Sequence, residues 1–305
     1  MHSITPPDCT SPFRLPDFIA VGPQRTGTTW LYEVLKGHVG LPEGIKEVQF
    51  FKWHYEKGLS WYASHFRKCS LSLPVGEICP VYFNSEAARR RIAKCLPLCK
   101  IICSVREPVD RTYSHYRMLR PFSGLRSFEE SLASLPDLID SSRYARHLRA
   151  WRDTVGPENV LIVLHEDLEA NPQNFIDAIC SFLGVSSIDL RLSAVAHQRI
   201  NVRLQAARSR LLGMAANKVF FWLRSRRSYG VLKAWERSSL WSFCFSGGEK
   251  YGPMSPDTEE RLRAMFIPEV EELEALIGRD LSSWKKRDRN VRMSTPILHG
   301  ESLSE

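Results

Sequence analysis

The chain has 305 residues, of which 43% are hydrophobic and 25% are charged. This composition is typical of a globular protein with a sizeable core, and it excludes a disordered or fibrous chain. The net charge of +8 and the sequence pI of about 9.1 suggest an anionic partner, such as a nucleotide, a nucleic acid, an acidic glycan or a membrane surface. A merely basic surface explains the charge equally well, so charge alone selects no function.

The two ends of the chain differ in composition from its middle. Residues 1–16 are rich in Pro, Ser and Thr without an apolar run, so we expect a flexible segment rather than a signal peptide or an anchor. We expect one domain over residues 17–286, with a helical insertion on the substrate side at about 200–245, and a flexible tail over 287–305. The longest apolar stretch, 211–223, is too short to span a bilayer, so no stable membrane insertion is expected.

The eight cysteines indicate the redox environment. They form no Cys-x-x-Cys pair, and Pro97 interrupts the regular spacing of Cys95, Cys99 and Cys103. We interpret them as buried, reduced thiols and therefore expect a cytoplasmic protein.

Short apolar runs alternate with segments of helical periodicity. The runs at 18–22, 76–79, 100–106 and 159–164 predict buried strands, and the patterns at 28–36, 59–66, 85–95, 109–118, 143–154, 172–183 and 256–278 predict helices. Such alternation is typical of a parallel sheet covered on both faces. The predicted fold is therefore α/β, with a P-loop-like parallel sheet flanked by helices on both faces.

The first predicted strand leads into Gly22-Pro-Gln-Arg-Thr-Gly-Thr-Thr29. A strand that turns through glycines into a helix makes an anion site, because backbone N–H groups and the helix dipole point at the ligand. Nucleoside triphosphatases carry Lys before the final Ser or Thr of this loop, where this chain has Thr28. The loop does carry a cation earlier, at Arg25. It therefore suits a phosphate but lacks the lysine that reaches a γ-phosphate.

The third predicted strand, 100–106, ends in Arg106, with Ser114 on the following helix. A magnesium-dependent kinase or NTPase usually has Asp at the end of a later strand. Arginine and serine instead offer bidentate charge and hydroxyl contacts to a phosphate. Two phosphate sites without a metal carboxylate favour a nucleotide phosphorylated at both its 5′ and 3′ positions, so no metal is expected and the kinase alternative is less favoured.

Together, these motifs resemble those of sulfotransferases that use 3′-phosphoadenosine 5′-phosphosulfate (PAPS), in the branch that includes heparan sulfate sulfotransferases and many bacterial enzymes. The resemblance covers about residues 18–284 and is carried mainly by segments 22–31, 104–116 and 46–62. It implies PAPS as co-substrate, released as PAP. The residues it assigns to PAPS are Arg25, Thr26, Gly27, Thr28, Thr29, Trp30, Arg106, Ser114, Gly248, Lys250 and Tyr251.

The segment Lys46-Glu-Val-Gln-Phe-Phe51 resembles the part of the family that supplies the acceptor-side base. The resemblance implies that Glu47 is this base and that Arg25 clamps the leaving phosphate. Gln49 is similar to the N-sulfotransferase version, whereas the 3-O version has His at this place. Gln49, Trp53 and His54 are the expected acceptor-binding residues.

Three departures from the family bear on function. Arg25 stands where the family usually has Lys, and Ile78 stands where it often has Lys. The late loop, residues 246–251, carries Gly247 and Glu249 where heparan sulfate enzymes often have basic residues. The last two departures weaken the case for a polyanionic glycan. The sequence therefore predicts sulfuryl transfer from PAPS to a hydroxyl or amine of a small-molecule or carbohydrate acceptor, with no nucleic acid partner.

Two alternatives remain open at this point. Arg25 and the basic aromatic stretch 220–241 also fit a catalytically inactive protein that binds PAP or associates with a membrane. Individual residues have structural explanations too: Glu47 could pair with Lys46 or Lys52, and Trp30 could pack beneath the loop rather than stack on the adenine.

Overall fold

The structure is a computed structural model that describes residues 14–123, 127–192, 210–226, 230–231, 234–235, 238–245 and 252–286. Most of the predicted N-terminal segment and the whole predicted tail lie outside the described residues. So do Gly248, Lys250 and Tyr251 of the expected late loop.

Four parallel strands form the sheet of the described chain, in the order β2–β1–β3–β4. Their bounds are β1 Phe18–Ala20, β2 Gly76–Ile78, β3 Lys100–Val105 and β4 Val160–Leu164. Ala20 lies beside Ile78 of β2 and beside Ile102 of β3. The four predicted strands and their parallel arrangement are confirmed. The strands β1, β2 and β3 end one or two residues earlier than their apolar runs, and β4 begins one residue later than its run.

Helices make up most of the remaining described chain. The α-helices are α1 Thr28–Leu35, α2 Gly58–Ala63, α3 Glu86–Cys95, α4 Pro108–Ser123, α5 Phe128–Ser134, α6 Asp137–Asp140, α7 Tyr144–Val155, α8 His165–Ala170, α9 Pro172–Leu183, α10 Arg210–Ser225, α11 Ser239–Phe245, α12 Pro256–Ile277 and α13 Ser282–Lys285. A π-helical turn at Phe50–His54 and 3₁₀ turns at Tyr55–Lys57, Pro80–Tyr82, Pro157–Asn159 and Leu190–Leu192 complete the set.

Side chains of β1 alternate between two apolar clusters because successive strand residues point to opposite faces. Ile19 and Val21 join a cluster that includes residues of α2, α3, α7 and α12. Phe18 and Ala20 join a second cluster that includes residues of α1 and α9. The sheet is thus covered by helices on both faces, as predicted.

Local signals explain where the well-predicted helices begin and end. Ser85 caps α3 by accepting a hydrogen bond from the backbone N–H of Ala88, and Asn171 caps α9 in the same way. Gly184 ends α9 in the left-handed conformation that glycine adopts at low cost. The structure adds α5, α6, α8 and α13, which the sequence pattern did not predict.

The predicted insertion at about 200–245 is described only in part. Its described portions include α10 and α11, and α10 contacts α4. Across the part of the chain that the structure describes, no helix has both the length and the apolar character that a membrane span requires.

Gly22 follows β1 at a point where the chain passes close to Ser104 of β3. A Cβ atom at this position would lie 2.5 Å from the backbone nitrogen of Ser104 and 2.7 Å from its carbonyl oxygen. These contacts involve backbone that pairs with its neighbours in the sheet, so they cannot be relieved by moving a side chain. Only glycine fits here, and the close approach brings the loop after β1 onto the end of β3.

We expect Gly22→Ala to lower the free energy of unfolding by about 1–3 kcal/mol, the usual cost of overpacking. The check is urea unfolding followed by circular dichroism. Gly252→Ala is the matched control, because a Cβ atom there would meet nothing within 4 Å. Equal unfolding midpoints for the two variants would contradict the steric argument.

Candidate active site

The loop after β1 is closed by the hydroxyl of Thr26. This fully buried side chain donates to the carbonyl oxygen of Pro23 at 2.8 Å, and its oxygen lies 2.7 Å from Oγ of Ser104. Since the only hydroxyl proton of Thr26 goes to Pro23, Ser104 is the donor in the second bond. The loop is therefore tied both to itself and to β3.

Positive φ angles turn the loop into α1. Arg25 has φ 76° and Gly27 has φ 88°. This region is uncommon for residues other than glycine, and strained residues of this kind cluster at functional sites. A Cβ atom at Gly27 would also lie 2.9 Å from Cδ2 of Leu168. The turn sets the beginning of α1 at Thr28.

The N-terminus of α1 carries threonine hydroxyls rather than a side-chain cap. Gly27 occupies the N-cap position and provides no side-chain hydrogen bond. Nζ of Lys46 lies 3.4 Å from Oγ1 of Thr28 and 3.5 Å from Oγ1 of Thr29. Backbone N–H groups, hydroxyls and an ammonium group thus converge on the positive end of the helix, an arrangement suited to an anion.

Arg106 and Ser114 lie after β3, beside this loop. The carbonyl oxygen of Arg106 accepts a hydrogen bond of 2.7 Å from the hydroxyl of Tyr144, and its guanidinium lies 4.0 Å from the carboxylate of Asp110. Nε of Arg25 donates to Oγ of Ser114 at 2.8 Å. The structure therefore joins the two sequence motifs that predicted separate phosphate contacts.

A buried carboxylate anchors the segment that carries Glu47. Glu77 is fully buried and accepts hydrogen bonds from the backbone N–H groups of Val48 at 2.6 Å and Gln49 at 2.9 Å. The hydroxyls of Tyr62 and Tyr82 donate to the same carboxylate at 2.7 and 3.2 Å. Burial raises the pKa of Glu77, and these bonds act in the opposite direction. The anchored backbone fixes where the neighbouring Glu47 lies.

The carboxylate of Glu47 is held by two neighbouring donors. Nζ of Lys46 lies 3.1 Å from Oε1, and Nε2 of Gln49 donates to Oε2 at 3.1 Å. The Glu47 side chain is 23% exposed, so it can still meet a molecule from solution. Pairing with Lys46 is confirmed as a contact, but the segment is an anchored part of the fold rather than a solvated loop.

Gln49 has φ 61°, and its side chain is turned towards Glu47. Of the other expected acceptor residues, Trp53 is 49% exposed and the ring of His54 packs against Trp61 at 5.4 Å. The structure brings Gln49 to Glu47. For Trp53 and His54, contact with an acceptor remains a prediction.

The ring of Trp30 is buried, with 7% exposure, and contacts Phe175 of α9 edge-to-face at 5.9 Å. This placement favours the packing alternative for its side chain over stacking on an adenine. The backbone of Trp30 remains in the first turn of α1.

Sequence reasoning did not assign three residues that organise this site: Lys46, Glu77 and Ser104. Lys46 and Ser104 lie within segments that carry the family resemblance, so their positions could have been noted. Their roles could not, because these depend on contacts between residues far apart along the chain, such as Lys46 with Thr29, 17 positions apart.

Taken together, the fold and the site define a class of protein: an α/β protein with a P-loop-like loop after β1, an arginine and a serine after β3 and an adjacent carboxylate. Within the described residues, no group of three or more His, Cys, Asp or Glu is arranged to hold a metal ion.

The chain belongs to the sulfotransferase domain family, whose pattern matches residues 15–209. It is 33% identical over 198 residues to mouse bifunctional heparan sulfate N-deacetylase/N-sulfotransferase 1, covering 57% of this chain and 22% of the relative. It is 30% identical over 302 residues to the human form 3, covering 90% of this chain and 32% of the relative. The chain thus spans about a third or less of these proteins.

Among solved structures, a sulfotransferase from Alicyclobacillus acidocaldarius resembles the chain with a TM-score of 0.62 and 23% identity, covering 90% of this chain and all of the other. At this identity, the likeness shows a shared fold. It confirms the predicted fold class, and the family match confirms the predicted resemblance.

Glu107 adds a pH-sensitive group next to Arg106. Its backbone N–H donates to Glu166 at 2.9 Å, and its carboxylate accepts from Arg263 at 3.3 Å. Burial, followed by the nearby Asp110 charge, raises the pKa of Glu107 to about 7. The folded protein therefore holds a proton here that the unfolded chain, with an ordinary carboxyl pKa, releases at lower pH.

This difference makes stability fall as pH rises from about 4.5 to about 7 and leaves it constant above, with a contribution from Glu107 of up to about 3 kcal/mol. We expect Glu107→Gln to reduce the loss of unfolding free energy between pH 5 and pH 8, measured by urea titration. Glu86→Gln, at an exposed carboxylate of α3, is the control. Parallel pH profiles for the wild type and Glu107→Gln would refute the assignment.

Proposed function

We propose that this chain transfers a sulfuryl group from PAPS to a hydroxyl or amine of a small-molecule or carbohydrate acceptor. The observation that carries the proposal is the 2.8 Å hydrogen bond from Arg25 to Ser114. It unites two phosphate motifs in one site, as a nucleotide with phosphates at both ends of its ribose requires. Family membership supports the same donor.

The residues present fit this donor chemically. Thr26–Thr29 and the N-terminus of α1 would take the 5′-phosphosulfate, and Arg106 with Ser114 would take the 3′-phosphate. Lys46 and Arg25 add positive charge, which suits a polyanionic ligand. Gly248, Lys250 and Tyr251 remain expected donor contacts from the late loop, outside the described residues.

Glu47 is proposed as the base that removes the acceptor proton. Its hydrogen bond from Gln49 fixes the direction of one carboxylate oxygen, so Gln49 would orient the base. Trp53 and His54, on the same segment, are proposed to line the acceptor side. Positioning and fixed charge then supply most of the rate enhancement, as in related group transfers.

The acceptor is proposed at the level of chemical class. The two mammalian relatives are named as heparan sulfate N-sulfotransferases, which favours starting with amino sugars. Ile78, where the family often has Lys, speaks against a strongly anionic glycan. A screen with ³⁵S-labelled PAPS should therefore include neutral amino sugars, short glycans and hydroxylated small molecules.

We further propose a cytoplasmic location. Five cysteines within the described residues are free thiols: Cys69, Cys79, Cys99, Cys103 and Cys180. Reduced thiols without disulfide partners are usual in that compartment.

Glu47→Gln tests the base. We expect transfer of labelled sulfate to fall by about 10²–10⁴-fold, the usual contribution of a general base, while PAP affinity measured by calorimetry stays within about twofold of the wild type. Glu56→Gln, an exposed residue of the same segment, is the control. Unchanged transfer by Glu47→Gln would exclude the base role.

The same assay in the presence of EDTA distinguishes the proposed sulfotransferase from the kinase alternative. Chelation would stop a magnesium-dependent enzyme, whereas we expect sulfate transfer to continue. If the wild-type protein binds PAP but transfers sulfate to no acceptor, the inactive PAP-binding alternative is correct.

Arg25→Ala tests the electrostatic clamp. We expect both PAP affinity and sulfate transfer to fall by about tenfold or more, because a charge-assisted contact and the link to Ser114 are lost together. Arg25→Lys should recover part of the activity through its remaining charge. Full activity of Arg25→Ala would show that the clamp is not needed.

A further inference from the structure

Lys46 connects the two halves of the site. Its ammonium lies 3.4 Å from the hydroxyl of Thr28 and 3.5 Å from that of Thr29, and 3.1 Å from the carboxylate of Glu47. Its side chain is only 19% exposed. One cation thus contacts both the helix that would receive the 5′-phosphosulfate and the residue that would remove the acceptor proton.

The position of this ammonium is electrostatically unusual. Cations are unfavourable at the N-terminus of a helix, because the helix dipole is positive there. Glu47 supplies one negative charge on one side of Lys46, whereas Thr28 and Thr29 offer only neutral hydroxyls. An anion bound at the N-terminus of α1 would be attracted both by the dipole and by Lys46, and it would remove the conflict between them.

At positions 25 and 78, where the family usually or often has lysine, this chain has Arg25 and Ile78, and neither supplies a lysine to the N-terminus of α1. The loop has Arg25, whose Nε donates to Ser114 on the 3′ side. Ile78 stands at the end of β2, where its side chain is buried and apolar. Lys46 is therefore the lysine that the structure places at the first turn of α1.

We propose that Lys46 is a catalytic residue whose ammonium contacts the sulfuryl and 5′-phosphate oxygens of the donor. The inference rests on the proposed function. In the transfer, the bond from sulfur to the bridging oxygen breaks as sulfur bonds to the acceptor oxygen or nitrogen, and Glu47 takes the acceptor proton. The electron pair stays on the 5′-phosphate oxygen of PAP, where Lys46 stabilises the negative charge.

This assignment places opposite functions on adjacent residues. Glu47 faces the group that loses a proton, and Lys46 faces the group that gains negative charge. Both belong to the segment that Glu77 anchors through Val48 and Gln49. A single anchored backbone would thus set the distance between the base and the leaving-group cation.

Lys46→Met tests the proposal with two readouts. Calorimetry compares PAP with adenosine 3′-monophosphate, which lacks the 5′-phosphate. We expect PAP affinity to fall by about tenfold and affinity for adenosine 3′-monophosphate to remain unchanged. The kcat for transfer of labelled sulfate should fall by about 100-fold or more, as for other groups that stabilise transition-state charge.

Lys46→Arg should recover most of the PAP affinity, because it restores the charge. Lys57→Met is the matched control, since Lys57 is an exposed lysine of the same segment that packs over Trp61. Thermal unfolding of each variant checks that the fold is retained.

Each outcome decides the proposal. Equal affinity of Lys46→Met and wild type for PAP, or an equal loss for both nucleotides, would overturn it, because Lys46 would then not contact the 5′ group. Wild-type kcat in Lys46→Met would overturn the catalytic role alone. If the wild type itself transfers no sulfate, the proposed function fails and the catalytic role falls with it, while the nucleotide comparison still decides the 5′ contact.

Discussion

The parallel pairing of β1 with β3 is the constraint on which the candidate site depends. Because the strands run in the same direction side by side, the loop after β1 and the segment after β3 emerge at the same edge of the sheet. Gly22 allows the two backbones to approach closely at that edge, and Thr26 is hydrogen-bonded to Ser104. Because the loop after β1 lies close to the end of β3, Arg25 can donate a hydrogen bond to Ser114.

Glu77 anchors the segment that carries Glu47, just as Ser104 anchors the loop after β1. A buried carboxylate is costly unless hydrogen bonds compensate for lost water. Here the backbone N–H groups of Val48 and Gln49 and the hydroxyls of two tyrosines provide them. The carboxylate thereby anchors the backbone at Val48 and Gln49, next to Glu47. Lys46 then connects this segment to the first turn of α1.

Most of the fold was predictable from the sequence because its signals are local. Apolar runs of strand length, a capping serine at Ser85 and a terminating glycine at Gly184 act within a few residues. Two elements that escaped prediction differ in this respect: α8 begins directly after β4, without a loop between them, whereas Ser127 does cap α5. The π-helical turn at Phe50–His54 accompanies the packing of Phe50 against Tyr62, whose rings lie 4.7 Å apart.

By itself, the sequence determined the order of strands and helices, the glycine loop with Arg25, and the motif with Arg106 and Ser114. These follow from residue types at short spacing, where backbone geometry leaves few choices. Only the tertiary structure decided that Arg25 bonds to Ser114, that Trp30 packs in the core and that Lys46 lies at the first turn of α1. Those contacts depend on which strands are neighbours and how a long segment folds back, which no local pattern specifies.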